Sequence, residues 1–458
     1  MNVVIIGAGL VGTSLGETLR ANGHDIAIIE RSAPRCALIA DTMDVLAIHG
    51  SGSNPKDLER AGIADADMVI AATPIDEVNL VCCSIAKQYD VAHRIARIRT
   101  DIFSGEHVRP EDFGITQVIY PEQSTQDAVL NIVETPGAID VQDFQQHAVL
   151  LRSFLLTEGM PIVDRDLREL NTDPAGRMLL VVAIIRGEEV IIPRGESILR
   201  PGDKLLCIFP NSARRDVLGL MGVDSTAKRR VIVFGDTLTA INIASTLESE
   251  VERVTFIDPD PKHADEAAAR LRGSDVLHGD ANDIDVLIEA NVRYTDFFIA
   301  ATEQNDRNIL SCLLAKSEGA KEVVAVLTDE KHIDLFQSIG INHVINPRQL
   351  TAAGILNAVL PGFVGTSLHI QKSDIDVLRL PVRERTAVAH RPLKDSWKRM
   401  VGSSIVGAIL RDGEMLVPRG DTLLLPGDLV LVFARSAGVR KLRKMFGIEN
   451  LTSSGTHA

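Results

Sequence analysis

One long segment of this chain is present twice, and its two copies align without a gap. In the first copy the shared residues are His49, Gly50, Leu58, Ala61, Asp67, Ile70, Ala71, Ala72, Thr73, Asn79, Cys83, Ala86 and Lys87. In the second copy they are His278, Gly279, Leu287, Ala290, Asp296, Ile299, Ala300, Ala301, Thr302, Asn308, Cys312, Ala315 and Lys316. Because solenoid repeats span only ~20–50 residues, a repeat of this length indicates a duplicated domain. The chain therefore contains two related modules.

Short apolar strands alternate with amphipathic helices at the start of each module. In the first module the strand candidates are 3–6, 26–29, 67–72, 94–98 and 118–120. Leu15 and Leu19 share one face of the helix after the first strand. This alternation is typical of βαβ units, so we predict a Rossmann-like, doubly wound parallel sheet in each module.

A second pattern follows each predicted parallel sheet. From Pro136 onward short strand candidates occur at 179–185, 189–192 and 204–209. The turn Pro201-Gly202-Asp203 recurs as Pro426-Gly427-Asp428, which indicates that this small domain is duplicated too. We predict Rossmann-like domains at 1–135 and 229–362, small β-rich α+β domains at 136–223 and 363–447, and a flexible tail at 448–458.

Charge, cysteine content and hydropathy narrow the functional class. The 458-residue chain has a formal net charge of -14, which argues against nucleic acid partners and basic lipid-binding patches. The five cysteines form no CxxC pair, so we expect reduced thiols without a disulfide or metal site, and Cys82 and Cys83 inside a helix core. No apolar run reaches the ~18–20 residues of a membrane helix, and no signal-peptide pattern precedes the first strand. We expect a cytoplasmic protein that reaches the membrane only through a partner.

The residues Gly7-Ala8-Gly9-Leu10-Val11-Gly12 form a GxGxxG pattern between the first strand and the first helix. Gly7 permits the tight turn, Gly9 lets the backbone approach a pyrophosphate, and Gly12 lets the helix pack close to the strand. Phosphates would lie at the helix N-terminus, where free N–H groups and the helix dipole attract anions. The pattern alone is weak, but its place in a βαβ unit predicts a dinucleotide site.

Glu30 ends the second strand, at the spacing expected for an acid that binds the adenosine ribose. Its carboxylate would repel a 2′-phosphate, which favours NAD or NADH over NADP. The adjacent Arg31 could neutralise such a phosphate. The alternative is a structural glycine turn followed by a solvated glutamate.

Three further positions fall beyond predicted carboxyl ends of strands, where open α/β sheets bind ligands. Ser51 follows the third strand, and Thr73-Pro74 follows the fourth. Both hydroxyls can donate to ribose or phosphate, and Arg97 in the fifth strand can donate to a pyrophosphate or a second ligand. Turn capping by the hydroxyls and an exposed charge at Arg97 explain the same pattern, so both interpretations stay open.

The second copy has lost most of this glycine pattern. Its turn reads Gly235-Asp236-Thr237-Leu238-Thr239-Ala240, which retains only the first glycine. Thr237 adds a side chain where a pyrophosphate would lie, and Asp236 adds a negative charge. Asp258 corresponds to Glu30, whereas Val326 replaces Arg97. We predict that this half binds no dinucleotide tightly and holds a smaller nucleotide or none.

Catalytic constellations are missing from the sequence. A dehydrogenase needs a general acid or base at the nicotinamide, and the small domains offer no dense polar cluster. His49 and His278 each precede a loop glycine, so we interpret them as loop polar groups. Asp280, Asn282, Asp283 and Asp285 form an acidic loop that either holds a cation or, as we favour, caps a helix.

The glycine pattern, the strand end Ile70-Ala71-Ala72-Thr73 and the segment Ile95-Ala96-Arg97-Ile98-Arg99 resemble the regulator-of-potassium-conductance family (RCK, or KTN). The small domain containing Pro201-Gly202-Asp203 resembles the RCK C-terminal subdomain. Two such pairs in tandem, over about residues 1–447, are similar to the cytosolic regulatory subunits of bacterial Trk potassium uptake systems.

This resemblance implies a non-enzymatic regulator that binds NAD or NADH, with ATP or ADP as further candidates, and changes ion flux through a membrane potassium transporter. It implies a homotetrameric ring on the inner face of the membrane. The implied NAD-site positions are Gly7, Ala8, Gly9, Leu10, Val11, Glu30, Ser51, Thr73, Pro74 and Arg97, and the glycine pattern adds Gly12. An NAD-dependent oxidoreductase and a regulator of a different ion transporter are the alternatives.

Overall fold

The computed structural model describes residues 1–21, 23–99, 108–144, 148–328, 333–359, 375–398 and 403–447. Within these residues the chain forms two six-stranded parallel sheets, and each is followed by an antiparallel sheet. The predicted tandem α/β architecture is confirmed. The predicted flexible tail, 448–458, lies outside the described residues.

The first parallel sheet is formed by β1 (Asn2–Ile6), β2 (Asp25–Glu30), β3 (Leu46–His49), β4 (Met68–Ala71), β5 (His93–Arg97) and β6 (Gln117–Ile119). Its helices are α1 (Leu10–Ala21), α2 (Ala33–Thr42), α3 (Pro55–Arg60) and α4 (Asp76–Gln88), and α5 (Pro121–Glu134) follows the last strand. The strand order is β3-β2-β1-β4-β5-β6, so the order reverses beside β1. Such a switch point leaves a crevice at the carboxyl ends of the strands.

Alternate residues of β1 enter two different cores, as expected for a parallel sheet covered on both faces. Ile5 packs with Leu15 of α1 in one core. Ile6 packs with Leu58 of α3 and with Cys82 and Cys83 of α4 in the other. The predicted burial of the two adjacent cysteines in a helix core is therefore confirmed.

The first antiparallel sheet has the strand order β10-β9-β11-β8-β7. Its elements are β7 (Ala138–Phe144), β8 (Val149–Leu155), α6 (Leu167–Leu170), α7 (Pro174–Met178), β9 (Leu180–Arg186), β10 (Glu189–Ile191), β11 (Lys204–Pro210) and α8 (Arg214–Leu220). Strands β9, β10 and β11 are predicted from the sequence, whereas β7 and β8 are not. Strand β8 buries Arg152, whose guanidinium donates to the hydroxyl of Thr135, so a charged residue interrupts its apolar pattern.

The second half repeats this arrangement with the strand orders β14-β13-β12-β15-β16-β17 and β18-β21-β19-β20. The parallel sheet comprises β12 (Arg230–Phe234), β13 (Arg253–Asp258), β14 (Ser274–His278), β15 (Phe297–Ala300), β16 (Glu322–Val326) and β17 (His343–Ile345). The helices that lie between these strands or directly follow them are α9 (Leu238–Leu247), α10 (Pro261–Arg270), α11 (Ile284–Glu289), α12 (Asn305–Ser317), α13 (Ile333–Ser338) and α14 (Pro347–Val359). The last antiparallel sheet comprises β18 (Ile375–Pro381), β19 (Ser404–Arg411), β20 (Glu414–Leu416) and β21 (Leu429–Arg435), with α15 (Leu393–Ser396) and α16 (Ser436–Met445).

Helix α14 packs against the first parallel sheet, although it follows the last strand of the second. Its residues Ala352, Ile355 and Leu356 enter the same core as Leu15 of α1 and Ile119 of β6. Helix α14 therefore belongs to the same compact unit as the first parallel sheet. From the sequence alone α14 is predicted to belong to the domain 229–362, because sequence order gives no sign that a helix packs against another sheet.

No helix in the described part of the chain has both the length and the apolar composition needed to cross a bilayer.

Candidate functional site: the crevice of the first parallel sheet

The glycine turn between β1 and α1 has the geometry that its sequence predicts. Gly7 has a φ of +99°, a conformation that favours glycine, and its N–H donates to the carbonyl of Ile29 (2.8 Å). A Cβ atom on Gly12 would lie 1.9 Å from the carbonyl oxygen of Gly7, so only glycine permits this close packing. A Cβ on Gly9 would have no protein atom within 4 Å. The turn is therefore closely packed at Gly7 and Gly12, whereas space for a ligand is left at Gly9.

The other residues of the turn divide between the core and the surface. Ala8 and Val11 are buried in the core beneath α1, whereas the side chain of Leu10 is 47% exposed. Helix α1 begins at Leu10, and its first turn has N–H groups without intrahelical partners. These groups lie at the open middle of the turn, where an anion can accept from them.

Glu30 connects the end of β2 to the glycine turn. Its buried carboxylate accepts hydrogen bonds from the N–H of Ala8 (2.7 Å) and from the N–H of Ser32 (2.7 Å). Each carboxylate oxygen can accept more than one hydrogen bond, so capacity remains for ribose hydroxyls. The side chain is not a solvated surface charge, in contrast to the alternative considered from the sequence.

Ser51 lies in the loop after β3. Its N–H donates to the carboxylate of Asp57 (3.0 Å), and its hydroxyl pairs with that of Ser53 (2.9 Å). The hydrogen bond from Ser51 is the largest of the effects that hold the pKa of Asp57 below its usual value. The neighbouring Gly52 lies against Ile6 at the end of β1, where a Cβ would approach the Ile6 side chain to 2.4 Å. The β3 loop therefore lies beside the glycine turn.

Thr73 lies directly against the glycine turn, within 3.4 Å of where a Cβ on Gly7 would lie. Its N–H and hydroxyl both donate to the side-chain oxygen of Asn79, at 3.1 and 2.7 Å. The next residue, Pro74, is exposed at the start of the loop that leads to α4. The Thr73 hydroxyl therefore has a structural role in this loop, at the edge of the crevice.

Asn79 is the central residue that sequence reasoning missed. It is fully buried, and its amide donates to the carbonyls of Thr73 (3.0 Å) and Arg97 (2.8 Å). It thereby joins the ends of β4 and β5. Asn79 was visible in the sequence as one of the duplicated residues, but a buried asparagine within a helix carries no direct sign of its partners.

Arg97 ends β5 with its guanidinium half-buried. Among the described residues, no group accepts a hydrogen bond from its buried Nε. Burial lowers the pKa of Arg97, and the nearby Arg99 lowers it further, while Glu122 and Asp76 partly oppose the shift. The side chain is therefore not the freely exposed strand charge of the alternative interpretation.

The corresponding turn of the second parallel sheet is filled by its own side chains. The hydroxyl of Thr237 accepts from the N–H of Ala240 (3.1 Å) and donates to the carbonyl of Ala301 (3.0 Å). Thr237 therefore caps α9 in place of an external anion. The carboxylate of Asp236 accepts from the N–H of Glu303 (3.2 Å) and also lies 3.9 Å from the guanidinium of Arg307.

The acidic residues of the second crevice have partners within the protein, except for one oxygen of Asp258. Its Oδ1 accepts from the N–H of Asp260 (2.8 Å), whereas no described residue donates to its Oδ2. Asp258 is fully buried, and its burial raises the pKa of its carboxyl above the usual value. Asp280 lies 3.6 Å from the guanidinium of Arg307 and accepts from the N–H of Asn282. Asp283 caps α11, so the helix-capping interpretation of this loop fits its geometry.

The described residues offer little for covalent or metal chemistry. No group of three metal-ligating side chains occurs among them, and His49 and His278 are exposed at strand ends. All five cysteines are buried and free. Burial raises the pKa of Cys83 to about 12, and it also raises the pKa of Cys82, Cys207 and Cys312, so these thiols stay protonated at neutral pH.

Comparison with known proteins places these features in a family. Residues 3–121 and 231–347 match the TrkA-N domain, and residues 151–222 and 377–447 match the TrkA-C domain. The Trk system potassium uptake protein TrkA of Azorhizobium caulinodans is 31% identical over 98% of this chain and 99% of that protein. The TrkA of Halomonas elongata is 30% identical over 98% of this chain and 99% of that protein.

Solved structures show the same fold at lower sequence identity. The GsuK RCK domain has a TM-score of 0.59 at 18% identity, and the match covers 97% of this chain and 95% of that one. The GsuK channel bound to NAD has a TM-score of 0.60 at 16% identity, covering 97% and 79%. The predicted resemblance to RCK proteins is confirmed, and the chain belongs to the TrkA family, with two TrkA-N domains that are each followed by a TrkA-C domain.

Proposed function

We propose that this protein is the regulatory subunit of a Trk-type potassium uptake system and that it senses NAD or NADH in the crevice of its first parallel sheet. The observation that carries the proposal is the contrast between the two crevices. The first presents an open glycine turn linked to Glu30, whereas Thr237 and Asp236 fill the second. One dinucleotide site per chain follows from this contrast.

The proposed site comprises the glycine turn and the residues at the neighbouring strand ends, namely Gly7, Ala8, Gly9, Leu10, Val11, Gly12, Glu30, Ser51, Thr73, Pro74 and Arg97. The first-turn N–H groups of α1 would bind the pyrophosphate, and Glu30 would accept from the adenosine ribose. Ala8 and Val11 contribute by packing, since both are buried. ATP and ADP fit the same turn through their phosphates and remain candidate ligands.

The protein acts, in this proposal, without catalysing a reaction. No described residue near the crevice offers an activated nucleophile or a metal centre. Ligand binding can shift a regulator between states only if those states differ in affinity for the ligand, and no chemistry is required. We propose a cytoplasmic homotetramer that acts on a membrane potassium-translocating subunit. RCK N-terminal domains would span 1–135 and 229–362, and C-terminal subdomains 136–223 and 363–447.

Calorimetric titration of the full chain with NAD, NADH, ATP and ADP tests the ligand assignment. We expect about one NAD or NADH per chain, without consumption of NADH. Gly9→Asp should abolish binding, because its carboxylate would enter the open middle of the turn without a clash in the protein. Gly219→Asp is the matched control, since it also adds an exposed carboxylate where no protein atom lies within 4 Å.

Two dinucleotides per chain would contradict the assignment of the second crevice. Tight ATP or ADP binding without any NAD or NADH binding would replace the proposed ligand. The regulatory role is tested separately, by co-purification with a Trk-type membrane subunit and by potassium uptake in cells that carry the Gly9→Asp or Gly219→Asp variant.

A further inference from the structure

Helix α11 and the turn that follows it leave apolar side chains exposed on the second parallel sheet. Ile284 and Ile288 are one helical turn apart, so they share one side of α11. Ile288 is 58% exposed, and Tyr294, which ends the short 3₁₀ helix Val292–Tyr294, is 62% exposed. Leu287 is fully buried in the core, so α11 packs on the sheet through its other side. The outward side of this helix is therefore apolar where a solvated helix is usually polar.

A cavity of about 550 Å³ opens beside Tyr294. Arg230 and Arg253, the first residues of β12 and β13, line it, so it lies at the amino ends of the strands and away from the crevice. Leu277 of β14 adds an apolar wall, and the exposed residues Glu289 and Tyr294 connect the cavity to α11. Its size falls within the range of ~300–1,000 Å³ that is typical of binding pockets. The cavity and the outward side of α11 thus adjoin each other.

Carboxylates border the apolar side of α11. Asp285 and Glu289 are exposed and one turn apart, each next in the chain to one of the two isoleucines. Neither carboxylate forms an ion pair with a residue that the structure describes. The two arginines of the cavity are already paired, with Glu252 (3.4 Å) and Asp275 (2.6 Å), and the side chain of Arg293 lies against the turn after α12. The charge that is left without a partner on this surface is therefore negative.

The first module does not carry this surface, although the two copies align here without a gap. Pro55, Glu59 and Asp65 stand at the positions of the two isoleucines and the tyrosine. The carboxylate of Glu59 accepts from the hydroxyl of Tyr89 (2.7 Å), so the outward side of α3 is polar and bonded within its own module. The fold therefore does not require exposed apolar residues at these positions. Their presence in the second module indicates a contact with another molecule.

We propose that the outward side of α11, together with the cavity beside Tyr294, is the docking surface for a basic amphipathic helix of a partner protein. Apolar side chains of the partner would pack on Ile284 and Ile288, and one of them would enter the cavity. Lysine or arginine beside them would pair with Asp285 and Glu289. Peptide helices commonly bind through their apolar side, and charges at the border select the partner. The inference does not depend on NAD binding or on the role in potassium uptake.

Fluorescence anisotropy of a labelled synthetic peptide tests this surface. The probe is an amphipathic helix with leucine along one side and lysine on both borders of that side. The matched probe carries glutamate in place of every lysine. At physiological ionic strength we expect the full chain to bind the lysine probe saturably, near one per chain, and the glutamate probe about tenfold more weakly or less. Hydrogen exchange of residues 284–295 should slow only with the lysine probe.

Variants distinguish a specific apolar contact from attraction to an acidic protein. Ile288→Glu should weaken binding of the lysine probe about tenfold or more, because it removes an apolar contact. Net charge alone predicts the opposite, since this variant is more negative than the wild type. Leu38→Glu is the matched control, because Leu38 of α2 is 61% exposed, and it should leave binding unchanged. Asp285→Asn combined with Glu289→Gln should weaken binding and reduce its dependence on salt.

Three outcomes would overturn the proposal. The first is equal affinity for the two probes, or no saturable binding of the lysine probe. The second is undiminished binding by Ile288→Glu, which would indicate attraction to the overall charge. The third is a smaller assembly of Ile288→Glu in sedimentation, which would mean that a second copy of the chain covers α11. If thermal denaturation shows that Ile288→Glu is unfolded, Tyr294→Asp provides the same test. None of these outcomes bears on whether NAD binds the glycine turn.

Discussion

Replacing Asn79 by alanine should loosen the loop after β4 and impair dinucleotide binding. The Asn79 side chain makes four hydrogen bonds, two from Thr73 (3.1 and 2.7 Å) and two to the carbonyls of Thr73 (3.0 Å) and Arg97 (2.8 Å). Each buried backbone group that loses its partner costs about 1–3 kcal/mol. Because water can enter beside Thr73 and replace some of these bonds, we expect the free energy of local unfolding to fall by about 3 kcal/mol. Amide hydrogens in this loop should then exchange roughly a hundredfold faster.

Hydrogen exchange resolved over residues 70–80 measures this loss, and calorimetry measures NAD affinity. The duplication supplies the control, because Asn308 makes the same four bonds around Thr302 and Val326, at 2.9, 2.6, 3.0 and 2.8 Å. Asn308→Ala should loosen its own loop equally but leave NAD affinity unchanged. The reasoning is refuted if both variants weaken NAD binding alike, or if Asn79→Ala exchanges no faster than the wild type.

Three further predictions concern packing and titration. Gly12→Ala should unfold the α1 region and abolish NAD binding, because the new Cβ would lie 1.9 Å from the carbonyl oxygen of Gly7. Gly9→Ala should stay folded, since its Cβ would have no protein atom within 4 Å, and thermal denaturation distinguishes the two variants. Burial raises the pKa of Asp258, so this carboxyl ionises at a lower pH in the unfolded chain than in the folded protein, and the stability of the fold decreases as the pH rises above about 4. Asp258→Asn should therefore raise the Tm at pH 7. An unchanged or lower Tm would contradict this. Burial raises the pKa of Asp203, but the hydrogen bonds from Arg186 (2.7 and 2.8 Å) and from the N–H of Arg200 (2.8 Å), with the charges of both arginines, together outweigh it and lower the pKa. These contacts therefore stabilise the protein at neutral pH, and their contribution is lost in acid. Asp203→Asn should therefore lower the Tm at pH 7 and have little effect near pH 2, and a constant difference across that range would exclude this linkage.

Much of the fold follows from local patterns in the sequence. The apolar strand at the start of the chain, the glycine turn and the acid at Glu30 predict a βαβ unit, and β1, α1 and β2 form it. Strand β8 was not predicted, because Arg152 interrupts its apolar run and finds its partners only in the folded chain. The same limit applies to Asn79, whose two strand-end partners are brought together by the sheet.

The sequence by itself determined the duplication, the parallel sheets and the loss of the glycine pattern in the second copy. These features depend on residue identity and spacing, which fix the strand and helix periods and the conformations open to a turn. Only the tertiary structure decided that Thr237 caps α9 and that α14 packs on the first sheet, where Ile355 meets the core beside Ile119. Helix capping by Thr237 and the packing of α14 on the first sheet depend on which surfaces meet after folding. Residues far apart in the chain carry no mutual spacing signal, so these contacts had to be read from the folded molecule.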